Sequence, residues 1–383
     1  GVELLGRYFQ AAEDAHQLVS ARQYVLTLQP LRTQIPAPYF AYIEYAEGWL
    51  HHLLGSEHAA GFIFAALAAR DDLAPDLRAR VMRGRAAVLV EDGAWREGLA
   101  AFQQALEQFK ALDEADEVAE TMAHVGRAYL QISADAMGEY DPLMAEYTGQ
   151  TGALALGELL VRLPLILYLI RKLGIFWPLP NLMRLGQGLD WVIARLFSDA
   201  ILWLRQAEQA YAALNHQAGV SRTQEALGRL HWILNDPQRA ITFLAPLLDD
   251  YVPGSFAWAR VEQELGEAYL AQDEAAAAQT QLQRALPIFE KVSSHARIAQ
   301  CHERLGTIAA SQAERDTAAR HYVRALHAWQ EASNPVRVTQ MGHRLAALAA
   351  GGGLSESGED LLESARGNVS EAVYATRYIH PFS

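Results

Sequence analysis

Along most of the chain apolar residues recur three and four positions apart, the spacing that lines one face of an α-helix, while strand-like alternation is scarce. The predicted helices come in pairs, and the pairs resemble one another. Aligning the stretch that contains "ELGEAYLAQDEAAAAQTQLQRAL" with the one that contains "ERLGTIAASQAERDTAARHYVRAL" sets Leu265-Gly266 over Leu305-Gly306, Ala278 over Ala318, Leu282 over Tyr322 and Ala285 over Ala325, a period of 40 residues. Each position has a packing reason. A small residue after the leucine and another at the start of the next helix let two antiparallel helices cross closely. The large residue four positions on fills the space beside the crossing, and the alanine three further on admits the following helix.

The register extends backward. Leu227-Gly228, His231, Ala240, Leu244 and Leu247 give another repeat, with histidine at an aromatic position. Ala86, Leu89, Gly98, Phe102 and Ala105 give one with Arg85 in place of the leucine, and Ala46, Leu50, Ala59, Ile63 and Ala66 give one more. Leu345-Ala346 opens a last helix that stops at Gly351–Gly353. The pattern makes about six repeats. These residues resemble the tetratricopeptide repeat, a helix-turn-helix unit that stacks into a right-handed superhelix, in its variety with extended helices. The resemblance implies an all-α solenoid of TPR-like repeats that binds extended peptides on its concave face.

One repeat is interrupted. Val125-Gly126 and Tyr129 open a first helix, but the small residue expected thirteen positions after Val125 is Gly138, inside an irregular-looking "SADAMGEYDP". The partner helix resumes at "DAILWLRQAEQAYAAL", with Ala200, Leu204 and Ala207 in register and 27 residues from Ala200 to Leu227, as from Ala278 to Leu305. An insertion of roughly 62 residues, 135–197, is therefore expected between the two helices of one repeat. This gives N-terminal repeats over 1–134, the apolar helical insertion, C-terminal repeats over 198–350, and a linker and tail over 351–383.

The insertion is apolar nearly all round from Ala153 to Ile170, interrupted by Glu158, Arg162 and Pro164. "GIFWPLP" breaks it, and "NLMRLGQGLDWVIARLF" resumes as a second, amphipathic helix with a hinge expected at "LGQGLD". Three readings stand. The segment packs in the array's own groove as a lid; or it dips Leu165, Ile166, Tyr168, Phe176, Trp177 and Trp191 into a membrane interface; or it mediates self-association. At eighteen residues, with a proline, it barely reaches the length of a bilayer span.

Under the family resemblance, the residues two, five, nine and twelve positions into each first helix line the concave face. In this chain they include Arg80, Arg83, Arg127, Arg222, Glu225, Arg229, Trp232, Arg260 and Glu267. The six arginines suit an acidic peptide or a C-terminal carboxylate. Glu120, Glu225, Glu267 and Glu303 lie at similar positions, so a mixed face whose arginines pair internally is the competing reading.

Composition narrows the partner. An apolar fraction of 51% excludes a disordered chain, and a formal charge of −13 argues against nucleic acid. A single cysteine, Cys301, forms no internal disulfide and no thiol cluster, which suits a cytoplasmic place, or a membrane-peripheral one under the lipid reading. The first residue is glycine, so an excised piece, such as a sensor domain of a larger signalling ATPase or transcription regulator, is one expectation.

Signals for catalysis or a cofactor are weak. His51, His52 and His58 cluster, but Gly55 sits where the repeat turn belongs. "HERLG" lacks the second histidine of a zinc-protease helix, and the triple glycine has no lysine-serine pair after it. A short helix capped by Ser357 is expected near 359–365. The sequence thus predicts a non-catalytic, cofactor-free scaffold or sensor that binds a peptide or protein, with a peripheral membrane or lipid-binding protein as the alternative.

Overall fold

The structure is a computed structural model that describes residues 25, 27, 28, 30, 33–150, 185–352, 354–358 and 360. Helices and turns make up the described residues, with no strand among them. They fall into two compact units. The first holds the described residues of Thr27–Trp49 and Glu57–Leu234, and the second Val25 and the described residues of Leu50–Ser56 and from Asn235 onward.

The first unit is built from α1 (Ala37–Leu53, whose last turn counts with the second unit), α2 (Glu57–Ala68), α3 (Pro75–Glu91), α4 (Trp95–Ala111), α5 (Ala115–Gln150), α6 (Leu185–Ala213) and α7 (Gln217–Ile233). The second contains α8 (Pro237–Leu244), α9 (Leu247–Asp250), α10 (Phe256–Leu270), α11 (Ala275–Lys291), α12 (His295–Ser311), α13 (Arg315–Glu331) and α14 (Pro335–Ala350). Pro246 stands between α8 and α9, where it offers no N–H to continue the helix. The helices that the sequence pairs as the fourth repeat, α7 and α8, fall on either side of the division between units.

Turn chemistry sets the repeat. A residue with positive φ ends one helix, and the next N–H bonds back to the carbonyl five residues earlier, a Schellman closure. Ala94 N–H reaches Leu89 O at 2.8 Å across Gly93, Glu274 reaches Tyr269 O at 2.9 Å across Asp273, and Glu314 reaches Ala309 O at 2.9 Å across Ala313. Of these three residues only glycine adopts that conformation without steric cost. Ala313, at φ 61°, holds it because the flanking helices over-determine the turn.

Close crossings follow. A β-carbon on Gly306 would lie 2.7 Å from the Tyr322 ring, and one on Gly266 would lie 2.9 Å from Leu282 Cγ. These partners are 16 positions apart. Gly126 meets Leu204 in the same way, with 2.7 Å to its Cγ, but 78 positions away. The crossing of an ordinary repeat is thus made by two residues 62 positions further apart than in the other repeats. Ala119 and Ala123 of α5 and Ala207 and Tyr211 of α6 close the core beside it.

Three sequence expectations change. "SADAMGEYDP" is not irregular, because α5 continues unbroken to Gln150; it is 36 residues long where α3, α4, α12 and α13 have 17. Nor is "LGQGLD" a hinge, since it opens the 29-residue α6, which runs on through "DAILWL". Positions 135 and 197 therefore lie inside helices. A lone glycine weakens a helix by only about 1 kcal/mol, which the many good helix formers around it outweigh. In the first repeat the second helix is shifted by one: Ala60, Phe64 and Leu67 are buried, whereas Ala59 and Ile63 are half-buried and Ala66 is exposed. The run "AAGFIFAALAA" is apolar on every side, so periodicity alone does not fix its rotation. The approach of Gly48 to Phe64, 16 positions on, does.

The last helix, expected to open at Leu345-Ala346, already opens at Pro335. Ala318, Tyr322, Ala325 and Trp329 of α13 pack with Met341 and Leu345 of α14, which stops at Gly351. Beyond it, Ser355 rather than Ser357 accepts a hydrogen bond, from Gly358 N–H at 3.2 Å, and residues 361–383 lie outside the described residues.

Candidate functional site

The first helices of successive repeats bring charged side chains together, and the two units do so differently. In the first unit, Arg80 and Arg83 lie one turn apart on α3, and both reach Glu117 of α5 at 2.7 Å. Arg83 is buried and also donates to Thr121 Oγ1 and to the Tyr45 hydroxyl, each at 3.4 Å. Burial opposes its charge most strongly, but Glu117, Tyr45 and Glu120 together outweigh it and the guanidinium is held ionised above its ordinary range.

One turn along α5, Glu120 is a second hub. Its Oε1 accepts from His124 Nε2 at 3.1 Å and from Arg127 at 3.2 Å; its Oε2 accepts from Arg222 of α7 at 2.8 Å and from the Tyr211 hydroxyl of α6. Burial works against the carboxylate, yet Arg222, His124 and Arg127 keep its pKa well below the usual range. Burial also pushes the Tyr211 phenol up and, aided by Arg127, pushes His124 down to about 3. His124 is therefore a neutral donor at pH 7. Its ring lies between Trp49, at 4.9 Å between centroids, and Phe102, stacked at 6.1 Å.

In the second unit the first helices are joined by single carboxylate–arginine contacts. Glu264 of α10 faces Arg297 of α12 at 3.6 Å, Glu267 meets Arg304 at 2.7 Å, and Glu303 of α12 meets Arg344 of α14 at 3.0 Å. Gln263 extends this ladder, accepting from Arg297 at 2.9 Å and donating to Gln300 at 2.8 Å. Burial raises the pKa of Glu267 against the opposing pull of Arg304.

The predicted face residues thus separate. Arg80, Arg83, Arg127 and Arg222 gather on Glu117 and Glu120. On α7, Glu225, Arg229 and Trp232 are half-buried, and Arg229 reaches Gln131 Oε1 at 3.5 Å. Arg260 and Glu267 belong to the second unit, where Arg260 lies 5.8 Å over the Phe256 ring. Of the proposed lid or membrane residues, Leu165, Ile166, Tyr168, Phe176 and Trp177 lie outside the described residues. Trp191 contributes backbone to α6, but its side chain lies outside them too.

Sequence reasoning missed Glu117, Tyr45, His124 and Tyr211. One signal was available: Glu117 follows Arg80 by 37 positions, the separation that also joins Glu267 to Arg304. Tyr211 is hidden because the insertion removes it from the register of Glu120.

Other candidates resolve simply. α1 ends at Leu53 and Gly55 takes φ +79°, so His51 and His58 are not on one continuous helix. Cys301 is fully buried and burial pushes its thiol pKa up, which makes it a packing residue. Among the described residues no group of three or more His, Cys, Asp or Glu could hold a metal ion, and no helix is long and apolar enough to cross a membrane.

No protein-family model matches the chain, and no curated protein does. Among solved structures it is similar to a Rap protein complexed with competence and sporulation factor, at 13% identity over 98% of this chain and 93% of that one, with a TM-score of 0.61. The fold is a tetratricopeptide-type helical repeat. The apo form of RapI matches at 12% identity over 97% of this chain and 86% of that one, with a TM-score of 0.41. A tetratricopeptide repeat protein from Parabacteroides merdae ATCC 43184 matches at 14% identity over 78% and 98%, with a TM-score of 0.30.

Proposed function

We propose that this chain is a non-catalytic binding module that holds an acidic peptide segment of a partner protein on the first-helix face of the first unit. The observation that carries this reading is the ratio of two arginines to each buried carboxylate, Arg80 and Arg83 on Glu117 and Arg127 and Arg222 on Glu120. Glu117 fixes Arg80 and Arg83 in place and sets one negative charge against their two positive ones, and Glu120 fixes Arg127 and Arg222. Arg83 and Arg222 are buried anchors, whereas Arg80 and Arg127 keep 24% and 32% of their side chains exposed. Guanidinium groups held in this way meet a carboxylate with little further loss of side-chain freedom.

The Rap protein with the similar fold was crystallised with competence and sporulation factor, so a repeat array of this kind accommodates a bound factor. In this reading the residues between α5 and α6, joined to helices of 36 and 29 residues, act as a lid or as a further partner contact.

Fluorescence anisotropy with a labelled glutamate-rich peptide and its lysine-substituted counterpart tests the proposal. The acidic peptide is expected to bind selectively and to weaken as salt rises. The double variant Arg80→Ala/Arg127→Ala should lose at least about tenfold in affinity, which is about 1.4 kcal/mol. Equal affinity for the two peptides would sink the reading.

A further inference from the structure

The sixth repeat contains a contact that the binding face does not use. His302 of α12 and His321 of α13 place their Nδ1 atoms 3.1 Å apart, with ring centroids 5.2 Å apart and planes inclined at 40°. His302 is buried and His321 half-buried. A hydrogen bond between two Nδ1 atoms needs a proton on one and a lone pair on the other. A first added proton puts a charge into a buried crossing. The second leaves two donors facing each other.

Among the described residues no carboxylate acts on either ring to compensate such a charge. α13 contributes Arg324, which acts on both rings, and Arg320, which acts on His321. From α10, Glu264 and Glu267 are already engaged by Arg297 and Arg304 of α12; from α14, Arg344 is engaged by Glu303; and from α11, Glu290 acts on the neighbouring Cys301. The same α12 and α13 hold α14, through Glu303 and Thr307 to Arg344 and through the core around Trp329 and Met341.

We propose that the His302–His321 pair is an acid-sensitive latch: protonating it separates α13 from α12 and releases the C-terminal helix α14 while α10 and α11 stay paired. Burial, then His321 and Arg324, push His302 down to about 4, and burial with Arg324 and Arg320 lowers His321. The opened form therefore takes up protons first as pH falls below the ordinary histidine value of about 6.5, and the latch weakens from there downward.

Amide hydrogen exchange on the full chain at pH 7.5 and 4.5, corrected for intrinsic rates, tests this. Protection in α12–α14 should fall at least about tenfold relative to α10–α11 at the lower pH. The double variant His302→Gln/His321→Gln, which can bridge without titrating, should hold its protection. The same regional loss in the variant, or no regional loss in the wild type, overturns the latch. Should the variant fail to fold, imidazole nitrogen shifts of the wild type decide: His302 staying neutral to below about pH 5 supports it, and both rings titrating near the ordinary 6.5 refutes it.

Discussion

The two units use the same element, the first helix of a repeat, to opposite electrostatic ends. In the second unit Glu267 has Arg304 and Glu303 has Arg344, pairs that fix one repeat against the next. In the first unit Glu117 and Glu120 each serve two arginines, and Glu120 also accepts hydrogen bonds from His124 and the Tyr211 hydroxyl. Pairing alone does not tell a structural ladder from a binding face. The stoichiometry and the exposure of the outer arginines do.

The largest effect that would sharpen this contrast is loss of Glu120. Glu120→Ala leaves the buried Arg222 and the Tyr211 hydroxyl without their acceptor across three helices, and is expected to cost about 3 kcal/mol or more in urea unfolding. Glu303→Ala in the second unit should cost about 1 kcal/mol, since its partner Arg344 is 38% exposed. Similar losses in both would break the comparison.

Next comes the crossing itself. Gly126→Val and Gly306→Val force a side chain onto Leu204 and Tyr322, and each should cost about 2–3 kcal/mol, read from the denaturation midpoint. A near-neutral Gly126→Val would mean that the interrupted repeat is looser than the intact one.

Acid should act in both units. With His124 held near 3, the unfolded chain binds its proton first, so stability is present above pH 6.5 and is lost as pH falls toward 3. That loss runs at up to about 1.4 kcal/mol per pH unit. Glu120, held low, adds a loss in the same direction below the ordinary carboxylate range. His124→Gln should flatten the dependence of melting temperature on pH between 6.5 and 5. The smallest effect belongs to an exposed pair: Asp199→Asn, which frees Arg195, should shift stability by less than about 0.5 kcal/mol.

Much of the fold was legible because tight crossings demand small residues at fixed separation. Gly266, Ala278 and Leu282 announce themselves, and so does Leu204, despite the 62 residues that intervene. Rotation of an all-apolar helix was not legible, so the second helix of the first repeat was set one residue out. Helix continuity through Gly138 was lost for another reason, since turn-forming residues weaken a helix that its neighbours still support. At the site Arg80, Arg83, Arg127 and Arg222 were legible as charged first-helix positions. Arg80 and Arg83 meet a carboxylate on another helix of the next repeat and Arg222 one 102 positions back, and a single helix pattern carries no information about those; Arg127 meets Glu120 on its own helix.

The most direct test of the account is the affinity of the labelled acidic peptide for two matched variants, Arg80→Ala/Arg127→Ala in the first unit and Arg304→Ala/Arg344→Ala in the second. The account predicts at least about a tenfold loss for the first and little change for the second. Equal loss in both, or loss confined to the second, would contradict it.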